Sequence, residues 1–176
     1  MDGDSLVDVA GLLTVDDFYD PAHREIYEIV LEAQLAGLKA SEPGTTLGEI
    51  HEVTLNSLVE GLVALRLLSG SVDELIANES YRRFYMHNTS HWLGLDVHDV
   101  GIYRIDGEHR KLQPGMVFTI EPGLYIAADD EEVDARFRGI GVRIEDDVVI
   151  TESGHENLTA AIPKATEEVE ALVSNR

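Results

Sequence analysis

The chain places two glutamates inside apolar, strand-like runs, and this placement limits how it can fold. Glu121 directly follows the run Met-Val-Phe-Thr-Ile at 116–120, and Glu145 lies between two runs rich in β-branched residues, 140–144 and 148–150. Runs of this composition favour buried strands. Because an unpaired carboxylate is costly to bury, the fold has to supply each glutamate with a partner, either a basic side chain or a bound cation.

A histidine in a third motif adds a metal-binding group to the two carboxylates. His91 lies within the segment MHNTSHWLGLDVHD at 86–99, and the chain contains no cysteine. An imidazole with carboxylates and no thiolate suits a divalent ion such as Mn²⁺, Co²⁺ or Zn²⁺. A lone histidine beside apolar residues is more often a structural group. The metal site is therefore predicted from His91, Glu121 and Glu145 as a set, with Arg143 as an alternative partner for the glutamates.

Three segments of the chain resemble the catalytic domain of aminopeptidase P, the Xaa-Pro aminopeptidases of the peptidase M24 superfamily. These segments are SHWLGLDVHDVG at 90–101, LQPGMVFTIEPGLYI at 112–126 and GIGVRIEDDVVIT at 139–151. The resemblance extends from about Pro21 to Val173. It implies an α+β domain with a partial pita-bread (creatinase/aminopeptidase-like) fold, in which helices pack on a curved antiparallel sheet and the first part of the domain is missing.

The resemblance also assigns the metal ligands. The family uses two aspartates, one histidine and two glutamates in chain order, and the last three fall on His91, Glu121 and Glu145, with Glu145 bridging both ions. Counting back without gaps from the helix start at 22–27 places the second aspartate on Asp8, where Ala10 and Gly11 replace the family's threonine and arginine. The first aspartate would precede Met1.

Further site residues are implied by the same resemblance. His98 and His87 match histidines that contact substrate or move protons, and Glu121 is expected to accept and pass on a proton. Arg143, Tyr103 and Tyr125 match positions that face substrate or hold a ligand in place. Taken as residues alone, the two histidines can equally be structural groups, and core packing is an alternative for the tyrosines. Four other histidines match nothing and are predicted to be surface groups: His23, His51, His109 and His155.

The activity implied is hydrolysis of the bond between an N-terminal residue and a following proline, by a water that a divalent metal activates. Mn²⁺ is the expected metal, with two ions in a complete site and one or none here. The expected partners are peptides with proline in the second position. Two alternatives remain: an inactive pita-bread module that binds a peptide or another protein, and a half-domain that self-associates. Exposed sheet edges would favour a homo-oligomer.

The resemblance implies one N-terminally truncated catalytic domain over residues 1–176. Its parts are an irregular start at 1–20, helices over 21–80, a sheet with the metal-site motifs over 81–162 and a C-terminal helix over 163–176. Apolar periodicity and capping residues predict helices at 21–40, 45–69, 72–78 and 165–174. From Arg83 onwards, short runs punctuated by glycine and proline predict strands at 84–86, 97–100, 116–120, 123–127, 139–152 and 156–159.

Composition excludes some partners. The chain carries 34 acidic and 13 basic residues, for a formal net charge of -21. Such a charge repels nucleic acid and anionic membranes, and a solvated acidic surface is favoured over a metal-binding acidic tail. The absence of cysteine, of a long apolar run and of a basic leader predicts a cytoplasmic protein.

Overall fold

The computed structural model describes residues 20–174, and it confirms the predicted α+β class. In the described part of the chain, short antiparallel strands lie between three preceding helices and one following helix. The helices are α1 (Pro21–Lys39), α2 (Leu47–Ala64), α3 (Val72–Ala77) and α4 (Thr166–Ser174), with 3₁₀ turns at Ser80–Arg83 and Ala135–Phe137. Asp8 and the rest of the predicted irregular start lie outside the described residues.

Within residues 20–174, seven strands form three small antiparallel sheets. They are β1 (Arg104–Ile105), β2 (Glu108–His109), β3 (Val117–Ile120), β4 (Gly123–Tyr125), β5 (Gly141–Arg143), β6 (Asp146–Thr151) and β7 (Gly154–Asn157). The sheets contain β1 and β2, β3 with β6 and β7, and β4 with β5. The β3–β6 and β4–β5 ladders follow one another and pair the same two stretches of chain, 117–125 with 141–149.

The ends of the first two helices have identifiable causes. Asp20 accepts a hydrogen bond from the backbone N–H of Ala22 at 2.8 Å and caps α1. Thr46 and Glu49 cap α2 reciprocally. The predicted extension of α2 to residue 69 is wrong, since the helix ends at Ala64 and Arg66 adopts a left-handed φ of 61°. The apolar residues beyond this end still pack against the core, which explains why the apolar pattern continues past it.

Several predicted strands differ from those observed. Residues 84–86 follow a 3₁₀ turn and are not a strand. The apolar run reflects the burial of Phe84 and Tyr85 in the core. Residues 97–100 form an exposed, bent segment. The predicted strand 139–152 is divided into β5 and β6, and the last strand covers 154–157. The division lies at residues 144–145, opposite Pro122, which has no N–H to donate to the ladder.

The helices cover one face of the β3–β6 ladder. Leu47 and Ile50 of α2 pack in one buried cluster with Trp92, Phe118 and Val148. A second cluster joins α1 and α2 to the β4–β5 ladder. Because side chains alternate between the faces of a strand, the neighbours of these core residues point to the face that the helices do not cover. No helix in residues 20–174 is long and apolar enough to cross a membrane.

The start of β6 is fixed by a buried charge. Asp146 is 1% exposed, and its carboxylate accepts hydrogen bonds from the Gln34 side-chain amide and from Thr159 Oγ1, the latter at 2.5 Å. Lys164 Nζ lies 2.7 Å from Asp146 Oδ1. These contacts tie β6 to α1 and to the segment before α4, directly beside Glu145.

Replacing Asp146 with alanine is expected to lower the free energy of unfolding by about 3 kcal/mol, because the change leaves the Gln34 amide without its acceptor and the Lys164 ammonium without its carboxylate partner. The matched control is Asp147→Ala on the same strand, which is half-buried and is expected to change stability by less than about 1 kcal/mol. Urea unfolding of both variants measures the difference. Equal effects would contradict the role given to Asp146.

Candidate metal centre

The register of β3 and β6 brings the two glutamates together. Ile120 pairs with Asp146 at the end of this ladder. Glu121 follows Ile120 and Glu145 precedes Asp146, so the two glutamates lie opposite each other where the ladder bends toward β4 and β5. A carboxylate pair is thus a direct consequence of strand pairing.

His91 reaches the same place from the other edge of β3. The backbone N–H of Thr119 donates to the His91 carbonyl at 3.0 Å, and Trp92 forms a bridge with Phe118. Trp92 points into the core, so the preceding side chain, His91, points to the opposite face. One ligand atom from each of His91, Glu121 and Glu145 lies within 4.8 Å of the other two. This group can hold a metal ion.

The hydrogen bonds of His91 prepare its imidazole for a cation. Nδ1 lies 3.0 Å from the Trp92 carbonyl, which can only accept, so Nδ1 carries a proton. Nε2 lies 3.1 Å from Glu121 Oε1. A backbone carbonyl that fixes one ring nitrogen while the other faces carboxylates is the usual arrangement of a metal-binding histidine.

Glu121 is held by two donors. Thr119 Oγ1 donates to Oε1 at 3.1 Å, and Arg143 Nη1 lies 3.3 Å from Oε2. Arg143 Nε also donates to the Tyr125 hydroxyl at 2.7 Å, and that hydroxyl lies 3.0 Å from His87 Nε2. The Glu121 side chain is 10% exposed, so these contacts fix a carboxylate that has little access to solvent.

The electrostatics of Glu145 favour a bound cation. Burial, followed by the nearby carboxylates of Glu121 and Asp147, raises the pKa of Glu145, and His91 and Arg143 only partly oppose this. The carboxylates therefore repel one another across the cluster. A divalent ion would relieve that repulsion and match the imidazole and carboxylate donors, so the residues present fit a metal.

The structure brings most of the other predicted residues to this cluster. The rings of His98 and His91 meet edge-on with their centroids 4.5 Å apart. The Tyr125 hydroxyl contacts both Arg143 and His87, as described above. Tyr103 lies apart from the cluster: it packs beside Trp92 and its hydroxyl accepts the Trp92 backbone N–H at 3.2 Å.

Sequence reasoning missed supporting residues. Thr119 lies two residues before Glu121 and therefore on the same strand face, a signal that was available. The prediction that His51 is a surface group is wrong: it is partly buried, and Nδ1 lies 2.9 Å from Thr89 Oγ1. The Thr89 carbonyl in turn accepts the Glu121 N–H at 2.8 Å. Thirty-eight residues separate His51 from Thr89, so no local pattern could predict this contact.

Helices packed on antiparallel ladders, with an imidazole and two carboxylates at the bend, define a metal-site protein of the α+β class. The chain belongs to metallopeptidase family M24, which residues 7–152 match. Membership in this family implies a divalent metal, in agreement with the cluster.

Relatives and solved structures confirm the resemblance found in the three motifs. The chain is 54% identical to the Xaa-Pro aminopeptidase of Escherichia coli over 166 residues, which cover 94% of this chain and 37% of the relative. It is 38% identical to mouse Xaa-Pro aminopeptidase 3, covering 95% of this chain and 32% of the relative. The structure of Pseudomonas aeruginosa aminopeptidase PepP superposes with a TM-score of 0.87 at 54% identity, covering 89% of this chain and 36% of that one. The chain thus spans about a third of the length of these proteins.

Removing a ligand is expected to weaken metal binding. Loss of a residue that merely supports a ligand weakens affinity about 10- to 100-fold, so His91→Ala and Glu145→Ala should each weaken Mn²⁺ binding at least about 100-fold. Glu131→Ala, an exposed acid outside the cluster, is the control and should bind as the unmodified chain does. Isothermal titration calorimetry measures these affinities, and unchanged binding in both ligand variants would contradict the assignment.

Burial of His51 predicts a dependence of stability on pH. Burial, followed by the positive neighbours Arg82, His87 and His109, lowers the pKa of His51 below its ordinary 6.5. The folded chain therefore binds a proton at His51 less readily than the unfolded chain does. The contribution of the His51 side chain to stability is complete above pH 6.5 and is lost as the pH falls toward the lowered pKa. His51→Gln should flatten the slope of unfolding free energy between pH 7 and 5.5 by at most about 1.4 kcal/mol per pH unit. Urea unfolding across this range provides the measurement, and identical slopes would contradict it.

Proposed function

We propose that this chain carries the metal centre of an aminopeptidase that hydrolyses the bond between an N-terminal residue and a following proline. The convergence of His91, Glu121 and Glu145 within 4.8 Å is the observation that carries the proposal. Relatives at 54% and 38% identity are Xaa-Pro aminopeptidases, which supplies the substrate class. Asp8 is proposed as a further ligand, by its position in the sequence.

Mn²⁺ is the metal we propose, because the donors are an imidazole and carboxylate oxygens with no thiolate. His91, Glu121 and Glu145 would hold it. A divalent ion bound there supplies a water of lowered pKa and a Lewis acid for the scissile carbonyl.

Glu121 is suited to proton transfer as well as to metal binding. Thr119 and Arg143 fix both of its carboxylate oxygens, so the group accepts a proton from water without changing its position. His98 is exposed and touches the His91 ring, which lets its imidazole donate a hydrogen bond to the substrate carbonyl. The Arg143 guanidinium and the Tyr125 hydroxyl, which are linked to His87, face the same side and would position the substrate.

Self-association is a second proposal, and it rests on exposed apolar side chains near His98. Leu95 and Val100 are almost fully exposed, and Val97, Ile102 and Ile105 are more than half exposed. Monomeric proteins rarely leave such a stretch uncovered, so a homo-oligomer is expected. A cytoplasmic location is proposed from the absence of cysteine.

A peptide assay tests the proposed activity. With Mn²⁺ added, the chain is expected to release alanine from a peptide beginning Ala-Pro and not from the matched Ala-Ala peptide. Glu121→Gln should lower this rate at least about 100-fold, because it removes the proton acceptor. Quantification of released alanine is the measurement, with Glu131→Gln, an exposed acid outside the cluster, as the control expected to keep full activity.

Two results would contradict the proposal. If the folded chain binds Mn²⁺ yet releases alanine from neither peptide, the inactive peptide-binding alternative is favoured. Equal release from both peptides would retain a metallo-aminopeptidase but overturn its specificity for proline.

A further inference from the structure

A cavity lies on the face of the sheet opposite to the metal cluster. Ser90 precedes His91, so its side chain points to the face that the helices cover. The first turns of α2, the segment 88–90 and the β1–β2 hairpin enclose an open cavity of about 290 Å³. None of the three metal-binding side chains lines it.

The cavity contains a buried hydroxyl without a partner. Ser90 is 9% exposed, and its Oγ atom has no hydrogen-bond partner among residues 20–174. A buried polar atom left in this state normally binds a water, an ion or a ligand. Ser90 is one of the residues that line the cavity, so its hydroxyl lies close to a molecule bound there.

His51 directs a second donor toward the same space. The Thr89 backbone N–H donates to His51 Nδ1 at 3.3 Å, so this nitrogen is unprotonated and the ring hydrogen is on Nε2. Since His51 lines the cavity, Nε2–H is the donor that the ring has left to offer a bound molecule.

Basic groups complete the lining. Arg104 lies at the rim and its Nη2 donates to His109 Nε2 at 2.7 Å. The His109 ring packs directly on α2, where a Cβ at Gly48 would approach it to 2.8 Å. Among the described residues Glu52 is the only acid that lines the cavity, although the chain has a net charge of -21.

We propose that this cavity binds a small oxyanion, a carboxylate or a phosphate, through Ser90 Oγ, His51 Nε2 and Arg104. Two neutral donors and one guanidinium match oxyanion oxygens. Glu52 is the only carboxylate among the described lining residues, so the lining suits an anion better than a metal cation. The site is separate from the proposed peptidase chemistry and does not depend on it.

The experiment is an NMR titration of the ¹⁵N-labelled full chain, without added metal, using sodium phosphate and, separately, sodium acetate at constant pH and ionic strength. Saturable amide shifts are expected at residues 51, 89–90 and 104. Ser90→Ala should weaken binding about tenfold, the loss expected for one hydrogen bond to a charged group. Glu52→Gln should strengthen binding by removing the one repulsive charge. Ser69→Ala, an exposed serine outside the cavity, is the matched control and should bind as the unmodified chain does.

Thermal unfolding separates a binding role from a structural one. Because Ser90 Oγ has no partner, Ser90→Ala is expected to keep or raise the melting temperature. Saturation by only one of the two anions shows whether the cavity binds a phosphate or a carboxylate, and it supports the proposal. Shifts that do not saturate, unchanged binding in Ser90→Ala, or a lower melting temperature in that variant would each overturn it.

Discussion

The antiparallel register of β3 and β6 is the constraint on which the rest of the structure depends. Pairing Ile120 with Asp146 places Phe118 and Val148 in the core and brings Glu121 opposite Glu145. A slip of one residue would turn the core residues outward and the carboxylates into the helices. The same register buries Asp146 against Gln34 and Lys164, so packing, charge pairing and the metal cluster are fixed together.

The metal cluster brings two negatively charged carboxylates close together. Glu121 and Glu145 repel each other, and the pKa of Glu145 is raised by burial and by this repulsion. Arg143 and Thr119 stabilise Glu121, whereas none of the basic side chains of residues 20–174 forms an ion pair with Glu145. Repulsion between the two carboxylates therefore lowers the stability of the metal-free chain and raises the affinity of the cluster for a cation. This arrangement is expected of a metal-binding site in family M24.

The short segment 89–92 serves both faces of the sheet. His91 points to the metal cluster, while Ser90 points to the cavity under α2, and Thr89 connects the two through His51 on one side and the Glu121 N–H on the other. Alternation along an extended backbone is sufficient to produce this division. A molecule bound by Ser90 and His51 would thus lie two hydrogen bonds away from Glu121.

The sequence by itself located the helices, apart from the end of α2, and singled out the three residues that the structure brings together. Periodicity and the Asp20 cap located α1, and the turn at 42–45 followed by an apolar pattern located the start of α2. The motifs around His91, Glu121 and Glu145 pointed to the cluster, because these signals are local. Tertiary structure alone decided the division of strand 139–152 opposite Pro122, the exposed course of residues 97–100 and the burial of His51 against Thr89. Each of these depends on contacts between residues distant in the chain, which periodicity and local composition do not record.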